Sequence, residues 1–309
     1  MTDVVVLGSA NADLVVHVDR RPGGGETLLG GDLQVFPGGK GANQAAAAAR
    51  SGSQVTFLGA LGRDGNADFL RQSLAEAGVD TSHVLTVDRP TGTAMVLLTP
   101  DGENSIVVSP GANMTIDVAA AESVSEFWLS ADVLVLNLEI PLTAVAHVIE
   151  RADAAGVRVL LNAAPAQSFD PTTLARCNPL VVNEYEARVV LNDASIPADA
   201  SFEFLAERLL AVGVPTLVIT LGAEGALVAD GSGIRRVAAY RVDAVDTTGA
   251  GDAFVGAMAA ELSRGVELDQ AVAFATAMSA VAVQRLGAQS SYADRAEVEQ
   301  FIAERAGSR

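Results

Sequence analysis

Short continuous runs of aliphatic and β-branched residues recur along the chain: VVVLG at 4–8, VTFLG at 55–59, VLVLNLE at 133–139, VRVLLN at 157–162, LVVN at 180–183 and TLVITLG at 216–222. Unbroken apolar runs of this length suit strands buried on both faces of a parallel sheet. Between them, apolar residues fall at helical spacing over 41–50, 66–77, 142–155, 201–212, 252–264 and 268–285. The alternation predicts an α/β fold: a doubly wound, mostly parallel sheet flanked by helices, with ligands at the carboxyl ends of its strands. Two stretches break the rhythm. Residues 12–36 (ADLVVHVD, the turn RPGGGE, then TLLGGDLQVF) and 91–109 (TGTAMVLLT, the turn PDGEN, then SIVVS) alternate polar and apolar positions and read as hairpins. Two arrangements fit them: a small sheet that lies over the site as a lid, or an edge extension of the main sheet.

Size and charge bound this picture. With 309 residues, half of them hydrophobic, the chain fits one α/β domain over 1–309, the lid (about 12–36 and 91–110) being inserted in it. A net charge of −18 opposes nucleic acid and anionic membrane as partners, so any phosphate site must be built locally. The single cysteine, Cys177, excludes an internal disulfide and reads as a buried, inert thiol of a reducing cytoplasm. MTDVVVLGSAN lacks the basic region of a signal peptide, and the apolar stretch 271–283 is shorter than the roughly 20 residues that cross a bilayer.

Chemistry concentrates at two glycine-rich stretches. In DTTGAGDAF (246–254), small residues precede Asp252, and Phe254, Met258 and Leu262 follow at i, i+4 and i+8 on one helix face. RVDAV (241–245) reads as the strand before it. Such a turn gathers free backbone N–H groups and the positive end of a helix dipole around one point. A carboxylate there, beside a bound phosphate, can take a proton from an attacking hydroxyl, a kinase-like arrangement. The second stretch, PGGKGANQAAAAA (37–49), has glycines at 38, 39 and 41 that allow close backbone approach by a ligand. Its Lys40 is the only lysine in the chain, beside nineteen arginines, and the alanine run reads simply as good helix. No P-loop, GxGxxG, zinc spacing or nucleophile elbow occurs, and His17, His83 and His147 read as surface or packing residues.

GGKGANQA and DTTGAGDAF together resemble the two signatures of the ribokinase-like (PfkB) carbohydrate kinases. The resemblance continues through GSANAD (8–13), NLEIP (137–141), NAAPA (162–166), NEYE (183–186), TLGAEG (220–225) and RLGAQ (285–289), in the family's order. It implies a sugar site of Asn11, Asp13, Gly38, Gly39, Lys40, Asn43, Glu139 and Asp252. It implies a nucleotide site of Asn183, Glu186, Thr220, Leu221, Gly222, Gly225, Gly251 and Thr276, where NEYE would organise Mg²⁺ and the phosphates of ATP. Gly249, Ala250 and Gly251 would form an anion hole and Asp252 would be the catalytic base. Asp246, Thr248, Ala282, Arg285, Gly287 and Ser291 would match a monovalent-cation loop for K⁺. Exposed sheet edges invite partners, so a homodimer through the lid is expected.

Each feature also has a plainer reading. Asp252 fits an acid at a helix N-terminus, Glu139 a solvated strand end, and Asn183 with Glu186 a helix cap. Two departures from the family pattern stand out: Ala163 and Ser290 replace prolines common in relatives, and the second bears on the cation loop. Asp13 and Glu139 would repel a phosphorylated sugar, no arginine stands ready for a carboxylate, and Phe36 is the only aromatic residue near GGKGAN. The expected acceptor is therefore a neutral pentose, the 5-hydroxyl of ribose first. Fructose or a nucleoside is the alternative, and a non-catalytic sugar binder the least supported.

Overall fold

The six apolar runs form neighbouring strands of one sheet. The computed structural model describes residues 3–100 and 104–306. Its first seven strands are β1 (Val4–Leu7), β2 (Asn11–His17), β3 (Gln34–Gly38), β4 (Val55–Leu58), β5 (Ala60–Leu61), β6 (Val79–Asp80) and β7 (Leu85–Thr86). Then come β8 (Gly92–Leu98), β9 (Asn104–Ser109), β10 (Val133–Asn137), β11 (Arg158–Asn162), β12 (Leu180–Asn183), β13 (Thr216–Thr220), β14 (Ala226–Asp230) and β15 (Gly233–Val237). The nine-stranded sheet has the order β15-β14-β13-β12-β11-β10-β1-β4-β6, parallel except for its last two members, β14 and β15, which pair antiparallel. The βα rhythm gave no sign of that hairpin edge.

Alternation within each buried strand sends side chains into two cores. Val4 and Val6 of β1 join one, Val5 and Leu7 the other. The first lies under α1 (Lys40–Arg50), α2 (Gly65–Glu76), α9 (Ala250–Ser263), α10 (Leu268–Ala282) and α11 (Arg295–Ala306). The second lies under α3 (Val118–Glu122), α4 (Ser125–Trp128), α5 (Leu142–Ala154), α6 (Pro171–Leu174), α7 (Glu184–Leu191) and α8 (Phe202–Ala211). Helices therefore cover both faces, as a doubly wound sheet requires. Cys177 is buried in the second core, where burial pushes its thiol well above the usual value. Among the described residues, no helix is long and apolar enough to cross a membrane.

The alternating stretches pair with each other, not with the main sheet, in the order β3-β2-β8-β9; β5 and β7 pair separately. The first hairpin is shorter than its alternation suggested. β3 begins only at Gln34, and TLLGGDL runs as an irregular connection in which Leu29 is 92% exposed. Gly30 and Gly31 have no side chains to alternate, and the Gly31 N–H instead donates to the His17 carbonyl at 2.8 Å. In the second hairpin, residues 101–103 of the expected turn lie outside the described residues.

RVDAV is not a strand. The sheet ends at β15, and the Val245 and Asp246 N–H groups both donate to the Val283 carbonyl beyond α10. The GAGD turn is thus approached by a loop tied to a helix end. The alanine run has a tertiary reason. α1 lies so close to α9 that a Cβ on Gly256 would stand 2.3 Å from the Gln44 carbonyl and 2.6 Å from Ala47 Cβ. Small side chains on both helices make that approach possible, and it places the start of α9 beside Asn43 and Gln44.

Candidate active site

The site forms at the carboxyl ends of adjacent parallel strands. β1 is followed by Ser9 and Asn11, β10 by Glu139, and from these two neighbours the strand order grows in opposite directions. The Ser9 hydroxyl donates to Glu139 Oε2 at 2.5 Å, and the Lys40 backbone N–H donates to the same oxygen at 3.0 Å. Glu139 is thus fixed against the N-terminus of α1 and is not a solvated strand end. The glycines of PGGKG serve the chain itself. Gly39 sits at φ +86, and a Cβ there would stand 2.7 Å from Ala10 Cα; on Gly41 it would stand 2.6 Å from the Ser9 nitrogen. At Gly38 it would strike the Asp13 carboxylate. In the direction a side chain would take, all three glycines meet residues 8–13.

Asp252 lies in the first turn of α9 and is buried. Asn43 donates to its Oδ2 and Gln44 to its Oδ1, both at 3.0 Å. Two residues of the first glycine motif therefore hold the carboxylate of the second across more than 200 positions of sequence. Gln44 also donates to Asn162 Oδ1 at 3.0 Å, and Gln289 donates to Asn43 Oδ1 at 3.1 Å. Ahead of Asp252, the Ala250 N–H is engaged with the Thr247 carbonyl at 3.2 Å, while those of Gly251 and Asp252 find no acceptor among the described residues. A Cβ on Gly251 would meet open space, whereas on Gly249 it would meet Ala288 and Tyr292.

A cleft of about 150 Å³ opens above Asp252. Lys40, Asn162, Asn183, Glu186, Thr220, Gly249 and Gly251 share its wall. Asn183 and Glu186 form a reciprocal capping box at the start of α7, each side chain accepting the other's backbone N–H at 2.8 Å. The plain helix-cap reading is therefore met, and the same two residues face the cleft.

Four carboxylates and one lysine set the local charge. Burial pushes the Asp252 carboxyl up, and Lys40 with the Asn43 and Gln44 donors opposes it. Asp13 is pushed up to about 7, first by burial and then by Glu139 and Asp252. Glu186 is also raised by burial, against the Asn183 N–H and Lys40. Lys40 is held above its ordinary value, by Asp252 foremost, and so stays protonated.

The remaining predicted residues lie around this centre or away from it. Asn11 and Asp13 share one face of β2, two positions apart. Gly225 closes the β13–β14 turn, where the Leu221 N–H donates to its carbonyl at 2.8 Å; Leu221 packs on the second core and Gly222 starts a 3₁₀ turn. Thr276 is buried on α10 and spends its hydroxyl on the Ala273 carbonyl. Asp246 accepts the Thr248 N–H at 2.9 Å and the Gly287 N–H at 2.8 Å, joining the two loops. Burial alone would raise its carboxyl; the Thr248 hydroxyl, with the Gly287 and Thr248 N–H groups, brings it below the usual value. The Arg285 guanidinium turns to Glu297, the Ala282 carbonyl accepts the Arg285 N–H, and the Ser291 hydroxyl donates to the Ala288 carbonyl.

Sequence reading missed Ser9, Gln44, Asn162, Asn113 and Gln289. Ser9, Gln44, Asn162 and Gln289 had a signal, since each stands inside a motif already singled out. Asn113 had none.

A buried carboxylate at a helix N-terminus, beside open N–H groups and a polar pocket on a doubly wound fold, is an arrangement suited to phosphoryl transfer. Residues 1–295 match the model of the pfkB family carbohydrate kinases. The ribokinase of Staphylococcus aureus is 38% identical over 300 residues, covering 96% of this chain and 98% of that protein. The Thermotoga maritima ribokinase structure superposes with a TM-score of 0.90 at 35% identity, over 98% of this chain and 100% of the other. An Arabidopsis thaliana ribokinase complexed with ribose and ATP gives 0.88 at 30% identity, over 97% and 98%. The chain belongs to the pfkB family of carbohydrate kinases.

Proposed function

We propose that the protein is a ribokinase, transferring the γ-phosphoryl group of ATP to the 5-hydroxyl of ribose. The observation that carries the reading is the double clamp on Asp252. Asn43 and Gln44, from the polar sugar-facing motif, donate to the carboxylate that opens the phosphate-binding helix. Acceptor and phosphoryl group would thus meet at one buried oxygen pair. The relative complexed with ribose and ATP supports the choice of both substrates.

In this reading Asn11, Asp13, Lys40, Asn43 and Glu139 hold the sugar hydroxyls, offering donors and acceptors together. Asp252 accepts the 5-hydroxyl proton as attack proceeds, a role typically worth about 10²–10⁴-fold. The N–H groups of Gly251 and Asp252 meet charge on the transferred group without reorganisation. Gly249 acts as the αL N-cap and Ala250 as the first helical residue. ATP would lie along Asn183, Glu186 and Thr220.

Among the described residues, no cluster of three or more His, Cys, Asp or Glu stands ready for a metal. That suits Mg²⁺ carried largely by nucleotide phosphates, with Glu186 as the protein's acidic contribution, where the ion offsets phosphate charge. The loops joined through Asp246 carry backbone carbonyls and the Thr248 and Ser291 hydroxyls, oxygen ligands of the kind K⁺ takes. Arg285 and Ala282 would contribute backbone carbonyls there, alongside Thr248, Gly287 and Ser291. The small sheet would close over the sugar as a lid within a single functional domain. Its row Val35–Leu14–Met95–Val107, on the face opposite Asp13, would pair two copies into a homodimer.

An ATP-consumption assay across ribose, 2-deoxyribose, fructose, ribose 5-phosphate and nucleosides, in KCl and in NaCl, tests the reading. Ribose is expected to give the highest kcat/KM, with a faster rate in KCl. Preference for a phosphorylated sugar or a nucleoside would sink the ribokinase assignment. A rate indifferent to the cation would remove the 282–291 loop from the account.

A further inference from the structure

Asn11 belongs to a buried amide pair whose orientation is set from outside the sugar site. Asn113 lies in the 3₁₀ turn Gly111–Thr115 that follows β9, and it is buried. Its Oδ1 accepts the Ala10 backbone N–H at 3.0 Å, and its Nδ2 reaches the Ala10 carbonyl at 3.3 Å. A backbone N–H can only donate and a carbonyl can only accept, so this pair of bonds fixes which end of the Asn113 amide is oxygen. The same Nδ2 donates to Asn11 Oδ1 at 2.8 Å. Asn11 therefore has its oxygen occupied and keeps its Nδ2 for a ligand. Gly92 of β8, paired with Asn11 in the small sheet, makes room for the couple. A Cβ there would stand 2.2 Å from Asn11 Oδ1 and 2.5 Å from Asn113 Nδ2.

We infer that Asn113 is a positioning residue for sugar recognition: it locks Asn11 as a hydrogen-bond donor to a substrate hydroxyl. The inference rests on the reading of Asn11 and Asp13 as sugar ligands. A hydroxyl that accepts from Asn11 must send its own proton elsewhere, and Asp13, two residues along the same face, is an acceptor when ionised. One donor and one acceptor on adjacent inward positions of β2 then select a hydroxyl over a group that only donates or only accepts. Without Asn113 the Asn11 amide turns freely, and half of its orientations set an oxygen where a donor is needed.

A double-mutant cycle read by calorimetric binding of ribose tests this. Asn113→Ala is expected to weaken ribose about tenfold, the scale of one misdirected neutral hydrogen bond, while ATP affinity and kcat change less than about threefold. In the Asn11→Ala background the same change is expected to cost less than about twofold, because its effect runs through Asn11. An equal loss in both backgrounds, or no loss in either, overturns the inference. Asn113→Ala also strips the buried Ala10 N–H of its acceptor. Gly92→Ala, which wedges the amide pair without deleting Asn113 or the Oδ1 that accepts the Ala10 N–H, decides the matter if the first variant does not fold. It should reproduce the ribose loss with ATP affinity intact, and unchanged ribose affinity overturns the inference. Wild-type protein that binds no ribose refutes the ribokinase reading and this inference together; ribose binding with an additive cycle refutes the inference alone.

Discussion

At Asp13 the local charge has a consequence that titration can read. Its carboxyl holds a proton up to about pH 7 in the folded protein, against an ordinary 3.8, because it is buried and faces Glu139 and Asp252. The folded state therefore binds the proton more tightly than the unfolded chain. The favourable contribution of Asp13 is complete below about pH 4 and is lost as pH climbs toward about 7. Sugar hydroxyls need the opposite form, an ionised acceptor. Ribose affinity is expected to strengthen about tenfold between pH 6 and pH 8, and Asp13→Asn should flatten the profile in the same calorimetric titration. A wild-type profile already flat over that range would contradict the assignment of Asp13 to the sugar. At this scale the motifs made Asp13, Lys40 and Asp252 legible, because each stands within a recognisable string. What they could not show is who holds whom. Gln44 on Asp252, Gln289 on Asn43 and Asn113 on Asn11 are contacts between segments roughly 100 to 250 positions apart, and they follow no local spacing.

Among the elements, the α1–α9 contact sets the geometry around Asp252. Gly256 lies on α9 one turn past Asp252, where any side chain meets the Gln44 carbonyl. Gly256→Ala is expected to destabilise the fold by about 1–3 kcal/mol and to lower turnover, since the helices can separate only by loosening the Asp252 clamp. Thermal unfolding and steady-state rates together check this; an unchanged midpoint and rate would show that the contact has slack. The pattern of apolar positions located six strands because each is buried on both faces and so needs no alternation. It failed where that condition fails. RVDAV is β-branched and apolar enough for a strand, but it joins no sheet: the Val245 and Asp246 N–H groups are spent on the Val283 carbonyl at the end of α10. The alanines of α1 looked like helix propensity, yet their small size is what admits α9.

For the molecule as a whole, the parallel sheet fixes one half of the site and the small sheet carries Asn11 and Asp13 to it. The other face of that small sheet is apolar, with Met95 52% and Val107 61% exposed. The proposed homodimer predicts that Val107→Glu converts the protein to a monomer in sedimentation and weakens ribose more than ATP. A wild-type monomer would remove the dimer while leaving the site untouched. Alternation showed that residues 12–36 and 91–109 were not part of the βα body, but it left open whether they joined the main sheet or each other. Only pairing across β2 and β8 decides that. The central claim is that two distant glycine motifs build one reaction centre around Asp252. Asp252→Asn tests it most directly, because the amide keeps the shape while removing the proton acceptor. Ribose and ATP should still bind within about tenfold of wild type while kcat falls by about 10²–10⁴. A variant that turns over ribose at close to the wild-type rate would contradict the account.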